Sequence, residues 1–164
     1  MSFIIQKSKT KDIDSLMAIY EAAIRYMRRC GNKNQWTGGY PGKEVILHDI
    51  ERGFSYTIYD ENGRISGVFS MIDGIDPTYN KIEGAWTDGS LPYLTIHRIA
   101  SDGSSRGIGK AAFDYAKSHA ASVRVDTHED NVKMQELLLN NGFKYCGIIY
   151  LANGDPRRAY QYVK

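Results

Sequence analysis

The chain has 164 residues, of which 42% are hydrophobic and 24% are charged, and its formal net charge at pH 7 is +2. These values are typical of one globular domain with a sizeable core, and they exclude extensive disorder and give no indication of nucleic-acid binding. The two cysteines, Cys30 and Cys146, lie too far apart to form a disulfide framework, which favours a reducing compartment. No apolar run approaches the roughly 20 residues that span a bilayer. We therefore expect one domain over residues 1–164, in the cytoplasm, with no nucleic-acid or membrane partner.

The first half of the chain predicts a strand, two helices and a hairpin. Residues 3–6 are β-formers, and apolar residues then recur at helical spacing over residues 10–30 until Gly31. A second helix is predicted from Lys43 to about Arg52. Two runs of β-formers on either side of the turn Glu61-Asn62-Gly63 predict a hairpin. These two strands are predicted at residues 55–59 and 64–72.

The second half predicts alternating strands and helices, followed by a hairpin. Residues 73–92 are irregular. In chain order the predicted elements are a strand at 93–100, a helix from about 108, a strand at 122–127, a helix that begins at Thr127 or Asp130 and ends at Gly142, and strands at 144–151 and 158–163. Strands outnumber helices and run in mixed directions, so we expect an α/β or α+β layered fold.

The segment Ser104-Ser105-Arg106-Gly107-Ile108-Gly109-Lys110 lies between a predicted strand and a predicted helix. The amino end of a helix presents unpaired N–H groups and partial positive charge, and both favour a phosphate. Gly107 and Gly109 lack a Cβ, so a phosphate can approach the backbone, and Arg106 and Lys110 add positive charge. The segment therefore predicts a site for the pyrophosphate of a cofactor. A tight strand-to-helix turn is the alternative.

Two known phosphate-binding motifs have features in common with this segment. A Walker loop requires a glycine where Ser104 lies and a Ser or Thr where Ala111 lies, so that interpretation fails. The dinucleotide fingerprint Gly-x-Gly-x-x-Gly/Ala matches Gly107, Gly109 and Ala112, and Asp126 follows at a suitable distance. Against it, residues 101–106 separate the strand from the first glycine, and too few parallel strands follow. A nicotinamide-dependent oxidoreductase therefore remains as an alternative.

The chain resembles the GNAT superfamily of N-acetyltransferases at three places. Residues 104–109 resemble the cofactor loop Gln/Arg-x-x-Gly-x-Gly/Ala, and His97-Arg98-Ile99-Ala100 resembles the central strand of that family. Asp130-Asn131-Val132-Lys133-Met134, with the later Asn141-Gly142-Phe143, resembles its Asn-led helix. The order of elements is similar over nearly the whole chain. The resemblance implies a mixed, splayed β-sheet flanked by helices on both faces.

The resemblance also implies a cofactor, acetyl-CoA, which would enter the split between strands 93–100 and 122–127 and leave as CoA. Its pantetheine arm would pair with the backbone of Ile99, Ala100 and Ser101. The residues implied at its pyrophosphate are Ser104, Ser105, Arg106, Gly107, Ile108, Gly109 and Lys110, with a further contact from Asn131. Two departures from the family pattern stand out. The loop is about two residues shorter, with a serine at its leading basic position, and Leu138 occupies the position of the usual tyrosine acid.

The implied activity is transfer of the acetyl group to an amine of a small molecule or peptide, by direct attack in a ternary complex. An alkylammonium with a pKa of about 10.4 is only about one part in several thousand neutral at pH 7, so a base is needed. His97 and His128 are the first candidates because both are expected near the split, and Glu83 is a third. A hydrogen-bonded structural role remains open for each histidine.

The acceptor site and the quaternary structure are less constrained by the sequence. The resemblance places Trp36 and Tyr40 at the acceptor pocket, although a loop packed by its own aromatic side chains is an alternative. Because Leu138 replaces the usual tyrosine acid, a non-catalytic acyl-CoA-binding module is an alternative function. Edge strands make a homodimer possible. Asp126, His128 and Asp130 straddle the end of a strand, so we expect no metal site.

Overall fold

The structure is a computed structural model that describes residues 2–164. The strands are β1 (Ile4–Lys7), β2 (Ser55–Tyr59), β3 (Ile65–Asp73), β4 (Glu83–Gly84), β5 (Leu94–Ser101), β6 (Ser122–Thr127), β7 (Lys144–Tyr150) and β8 (Pro156–Val163). The α-helices are α1 (Ile13–Arg29), α2 (Lys43–Glu51), α3 (Ile108–His119) and α4 (Val132–Asn140), and short 3-10 turns lie at Thr10–Asp12 and Pro77–Tyr79. None of these helices is both long enough and apolar enough to cross a membrane.

All eight strands form one sheet in the order β1-β2-β3-β5-β6-β8-β7-β4. The pair β5–β6 is parallel and its neighbouring pairs are antiparallel, so the sheet is mixed, as predicted. The predicted element order is confirmed, with one addition. The two-residue strand β4, where Glu83 lies opposite Ile148, falls in the segment predicted to be irregular. A strand this short has no period that a sequence pattern can reveal.

Helices cover both faces of the sheet. Successive side chains of a strand point to opposite sides, so strands with consecutive apolar residues have two apolar faces to bury. On β3, Val68 packs in a core cluster with Leu16 of α1, on what we call the α1 face. The next residue, Phe69, packs in a cluster with Phe113 of α3 and Leu138 of α4, on the α3 face. The predicted two-sided layering is therefore confirmed.

The central strands β5 and β6 pair at only two positions, Leu94 with Val123 and Thr95 with Arg124. Beyond these positions β5 stays bound to β3 as far as Ser101, while β6 stays bound to β8 as far as Thr127. The two strands therefore diverge, and the edge of β5 that faces β6 has no strand partner over residues 96–101. This is the split that the family resemblance implies.

Within the diverging part of β5, Arg98 has φ +53° and forms a bulge where the register with β3 shifts. A positive φ is uncommon for a residue with a Cβ and persists where the surroundings enforce it. Nε and Nη2 of Arg98 donate to the two carboxylate oxygens of Asp49 at 2.8 and 2.9 Å. Asp49 also accepts from Ser70 Oγ at 2.7 Å, and the Tyr20 hydroxyl donates to the carbonyl oxygen of Arg98 at 2.9 Å. The bulge is therefore held by α1, α2 and β3 together.

We expect Asp49→Asn to lower the free energy of unfolding by about 3–5 kcal/mol, because it leaves the Arg98 guanidinium buried without a counter-charge. The two side chains of this pair are only 4% and 13% exposed. Urea unfolding at neutral pH measures the effect. Asp14→Asn is the matched control, since its pair with Lys43 is largely exposed and should contribute less than about 1 kcal/mol. Similar losses in the two variants would show that the buried pair does not hold the bulge.

Candidate functional site

A cavity of about 560 Å³ occupies the split between β5 and β6. Its walls come from these two strands, the loop between α1 and α2, the turn around Asp76 and Thr78, the start of α4 and the β7–β8 hairpin. Ile96 and Val125 belong to the core on the α3 face, yet both line the cavity. Their sequence neighbours His97 and Asp126 line it as well and point to the α1 face. The cavity therefore reaches both faces of the sheet through the gap that the diverging strands leave.

His97 lies between two carboxylates on the α1 face of the split. Its Nε2 is 3.0 Å from Asp76 Oδ2, and its Nδ1 is 4.0 Å from Asp126 Oδ2. Burial opposes the charge on Asp76, but hydrogen bonds from His97 and Thr78 outweigh it and lower the pKa of Asp76 to about 2. Asp76 is therefore a carboxylate at neutral pH and accepts a hydrogen bond from Nε2–H. In the neutral imidazole this leaves Nδ1 as a proton acceptor beside Asp126.

Tyr79 fixes the second carboxylate. Its hydroxyl donates to Asp126 Oδ2 at 2.6 Å, and its ring is buried in a small cluster with Ile149 and Ala159. Burial, followed by the negative charge of Asp126, raises the pKa of Tyr79 well above its ordinary value. The phenol therefore stays protonated and remains a donor. Asp126 keeps its second oxygen, Oδ1, for other partners.

The loop between α1 and α2 forms the wall that contains the two predicted acceptor residues. Trp36 has φ +56° and packs edge-on against Tyr20, with ring centroids 5.7 Å apart. Arg28 holds this conformation by donating to the carbonyl oxygens of Gln35 and Trp36, each at 2.8 Å. The Tyr40 hydroxyl accepts from Arg98 Nη1 at 2.9 Å. Both predicted residues line the cavity, although part of each aromatic surface is used for packing within the protein.

The same loop also crosses the open end of the split to reach α4. Asn131 Nδ2 donates to Gln35 Oε1 at 3.2 Å, and Asn34 Nδ2 donates to Asp130 Oδ2 at 3.3 Å. Asn131 caps α4 as well, because its Oδ1 accepts from the backbone N–H of Met134 at 3.1 Å. Asn131 lines the cavity at this point. Asn131 therefore forms the end of one wall of the split, and its side chain also accepts a hydrogen bond from a free N–H group in the first turn of α4.

The structure does not bring the other two predicted catalytic residues to the cavity. Nδ1 of His128 accepts from the backbone N–H of Asp130 at 3.0 Å, within the turn between β6 and α4. Glu83 is exposed on β4, which lies at one edge of the sheet. Of the three predicted catalytic residues, His97 alone lines the cavity. The roles assigned to His128 and Glu83 remain predictions.

The predicted phosphate loop leads directly into α3. Gly107 precedes the helix with φ +86°, and no side chain from residues 2–164 caps the helix. Ser104, Arg106 and Lys110 are exposed here. The free amide groups of the first turn and the exposed basic residues fit an anionic group. Two features oppose it. The Asp102 carboxylate accepts from the backbone N–H of Ser104 at 2.9 Å in the same loop, and the Asp114 carboxylate accepts from Nζ of Lys110.

The remaining predicted cofactor residues differ in their surroundings. A Cβ at Gly109 would overlap the Cδ2 methyl of Leu137, so a larger residue there would force that side chain to shift where α3 packs on α4. The Ser104 hydroxyl donates to Asp102 Oδ1 at 2.5 Å, and the Ser105 hydroxyl donates to Ser66 Oγ at 3.3 Å. Ile108 is buried in the core on the α3 face, and Ala100 is buried on the α1 face. Ile99 lines the cavity, and Ser101 is half-buried at the end of β5.

Sequence reasoning missed Asp76, Tyr79 and Arg157, which all lie near or in the cavity. Asp76-Pro77-Thr78 is a recognisable turn sequence, and Asp76 Oδ1 accepts from Thr78 N at 2.9 Å. That signal predicts a turn but does not reveal that the turn lies against His97, 21 residues later. Arg157 and Ala159 are two residues apart on β8, and this spacing indicates only that they share one face of a strand.

No protein-family model matches the chain, and no curated protein matches it. Solved structures do match. A GNAT-family acetyltransferase from Streptococcus agalactiae is 34% identical, with a TM-score of 0.88 over 99% of this chain and 95% of that one. Another from Listeria monocytogenes is 19% identical, with a TM-score of 0.73 over 99% of this chain and 95% of that one. An agmatine N-acetyltransferase is 14% identical, with a TM-score of 0.68 over the full length of both chains.

The latter two structures are too distant in sequence to show more than a shared fold. The first is different, because identity of 34% extends over almost the whole of both chains. Its similarity covers the split, the glycine loop and the Asn-capped helix together. Because this identity extends over almost the full length of both proteins, the chain belongs to the GNAT family of acetyltransferases.

Proposed function

We propose that the protein transfers the acetyl group of acetyl-CoA to an amine bound in the cavity, in a ternary complex, and that His97 accepts the proton of that amine. Family membership supports acetyl transfer. The observation that carries the assignment of His97 is its position in the split, with one ring nitrogen bound to Asp76 and the other beside Asp126. The same membership removes the support for a nicotinamide cofactor at the glycine loop.

The cofactor end of the proposal rests on α3 and β5. The uncapped first turn of α3 after Gly107 offers backbone N–H donors to a pyrophosphate. The free edge of β5 near Ile99 offers backbone groups to the pantetheine arm, because no strand occupies that edge. When bound, acetyl-CoA supplies the acetyl group activated as a thioester. These residues fit such a group, whereas Gly109 contributes chiefly through its packing on Leu137.

The acceptor end rests on the charges of the α1 face. An alkylammonium must lose a proton before its nitrogen can attack. Asp126, held by Tyr79, can attract the ammonium group, and His97 Nδ1 lies 4.0 Å from that carboxylate. Asp76 fixes the tautomer of His97 and stabilises the imidazolium that forms. The proton therefore has a defined route from the amine to His97 Nδ1.

One observation favours a second candidate function, a binding module for acyl-CoA without catalysis. Leu138 of α4 stands where the resemblance implies a tyrosine acid, and its side chain is completely buried in the core. No phenol is thus available from this position to protonate the leaving thiolate. CoA binding without turnover on any amine would favour this second function.

We expect the protein to release thiol from acetyl-CoA in the presence of a suitable amine from a panel of small amines. His97→Ala should lower kcat/KM by about 10²–10⁴-fold, since it removes the general base. The affinity for CoA, measured by calorimetry, should not change. His119→Ala is the matched control, because His119 is exposed on α3 and hydrogen-bonds within its own helix turn. Full activity in His97→Ala would refute the assigned base.

We expect Gly107→Ala to weaken CoA binding more than Gly103→Ala does. Both glycines have positive φ, +86° and +81°, so alanine introduces similar backbone strain, of about 1–2 kcal/mol, at each position. Only Gly107 immediately precedes the amide groups of α3 that would hold the phosphates. Titration calorimetry with CoA measures the difference. Equal losses of affinity in the two variants would contradict a phosphate site at the start of α3.

We expect Asp76→Asn to remove a pH dependence of stability. The folded pKa of about 2 is below the ordinary value of 3.8, so the ionised carboxylate stabilises the fold above pH 3.8. That contribution, about 2 kcal/mol, is lost as the pH falls from 3.8 towards 2. Urea unfolding of the two proteins from pH 5 downwards measures the difference between them. A difference that stays constant over this range would show that the pKa of Asp76 is not lowered by the fold.

A further inference from the structure

One positive charge in the cavity has no counter-charge among the residues that the structure describes. Arg157, the second residue of β8, is only 8% exposed and lines the cavity. Its Nη1 donates to the carbonyl oxygen of Pro156 at 2.8 Å. Among residues 2–164, no carboxylate lies within 4.0 Å of its guanidinium group. A guanidinium has five N–H donors, so most of its binding capacity remains free.

The other two buried arginines near the split show how the fold normally compensates such a charge. Arg98 makes a bidentate pair with Asp49. Arg124 lies between the rings of Trp86 and Tyr93, with its guanidinium carbon 3.9 and 4.0 Å from their centroids. Arg157 has neither kind of partner. Because burying an uncompensated charge is unfavourable, an anionic ligand group is the partner that its position lacks.

The sheet register places Arg157 on the same face as the proposed base. Asp126 of β6 lies opposite Ala159 of β8, and Arg157 is two residues from Ala159. Residues related in this way share a face and are diagonal neighbours, roughly 7–8 Å apart in the backbone. Asp126 is also the carboxylate beside His97 Nδ1. The free guanidinium and the proposed amine site are therefore neighbours within one cavity.

We propose that the acceptor is an amine that also carries an anionic oxygen group, a carboxylate or a phosphate, and that Arg157 binds this group. The inference rests on the proposed acetyl transfer, because the ammonium is assigned to Asp126 and His97. Three carboxylates line the cavity, Asp76, Asp126 and Asp155, whereas Arg98 is neutralised by Asp49. An anion would be repelled at most of this surface and attracted at Arg157. The charge pattern thus favours a zwitterion in one orientation over a simple cation such as a diamine.

The test compares matched pairs of amines that differ in the anionic group. The pairs are phenylalanine and phenethylamine, lysine and cadaverine, and phosphoethanolamine and ethanolamine, each titrated by calorimetry in the presence of CoA and then assayed for acetyl transfer. We expect an anionic member to bind at least tenfold more tightly than its partner. Binding by the phosphate compound alone would identify the anion as a phosphate, and binding by an amino acid alone would identify it as a carboxylate.

Arg157→Gln should reduce that ratio to near one, mainly through KM in the transfer assay. It should leave the urea stability of the ligand-free protein unchanged or higher, because it removes an uncompensated buried charge, whereas loss of a merely structural arginine would lower stability. Arg158→Gln is the matched control. Arg158 is exposed, adjacent and on the opposite face, where its Nη1 donates to Gln135 Oε1 at 3.0 Å. The control should keep the wild-type ratio.

The outcomes separate this inference from the proposed function. If the anionic members bind through Arg157 but no amine is acetylated, the proposed activity fails and the anion site stands. If amines without an anionic group are acetylated as efficiently as their partners, the activity stands and the anion site is overturned. Failure of every anionic member to bind, or a ratio that survives Arg157→Gln, overturns it as well.

Discussion

Arg98 is held in a left-handed backbone conformation by the buried carboxylate of Asp49, and the site depends on this contact. The bulge at Arg98 lies in β5 just after the strand has left β6. The bulge lies between two residues that line the cavity. His97 faces the carboxylates of the α1 face, and Ile99 packs against the core on the α3 face. Without the pair, β5 would carry a strained residue and an uncompensated charge where the split opens. The ion pair thus holds the bulge that follows the proposed base in β5.

The same pair determines which charges the cavity presents to a ligand. Because Asp49 neutralises Arg98, that guanidinium is not free to bind an anion, although it lines the cavity. The charges that remain are the carboxylates of Asp76, Asp126 and Asp155 and the guanidinium of Arg157. Asp126 and Arg157 lie on the same face of the sheet, since β6 and β8 are held in register there. Charge separation within one cavity is the physical basis for expecting a zwitterionic acceptor.

The glycine loop illustrates how one motif can serve two physical needs. Gly107 supplies a positive φ at the start of α3, which leaves the first amide groups of the helix free. Gly109 allows Leu137 of α4 to pack against α3. A sequence pattern does not distinguish these needs, because both require the absence of a Cβ. Gly107 is therefore part of the proposed phosphate site, whereas Gly109 lies where the two helices pack.

The sequence by itself determined the order and most boundaries of the elements, because their hydrophobic periods and turn residues are local. It also determined the family resemblance, through the loop before α3 and the Asn-led helix. Only the tertiary structure decided which polar residues meet. Asp76 comes from an irregular segment, His97 from β5 and Arg157 from the last hairpin, so no spacing in the sequence predicts that all three line one cavity.

His97 and His128 looked alike as candidate bases because each lies in or just after a central strand. The strand divergence turned His97 towards the cavity, whereas a local hydrogen bond holds His128 in a turn outside it.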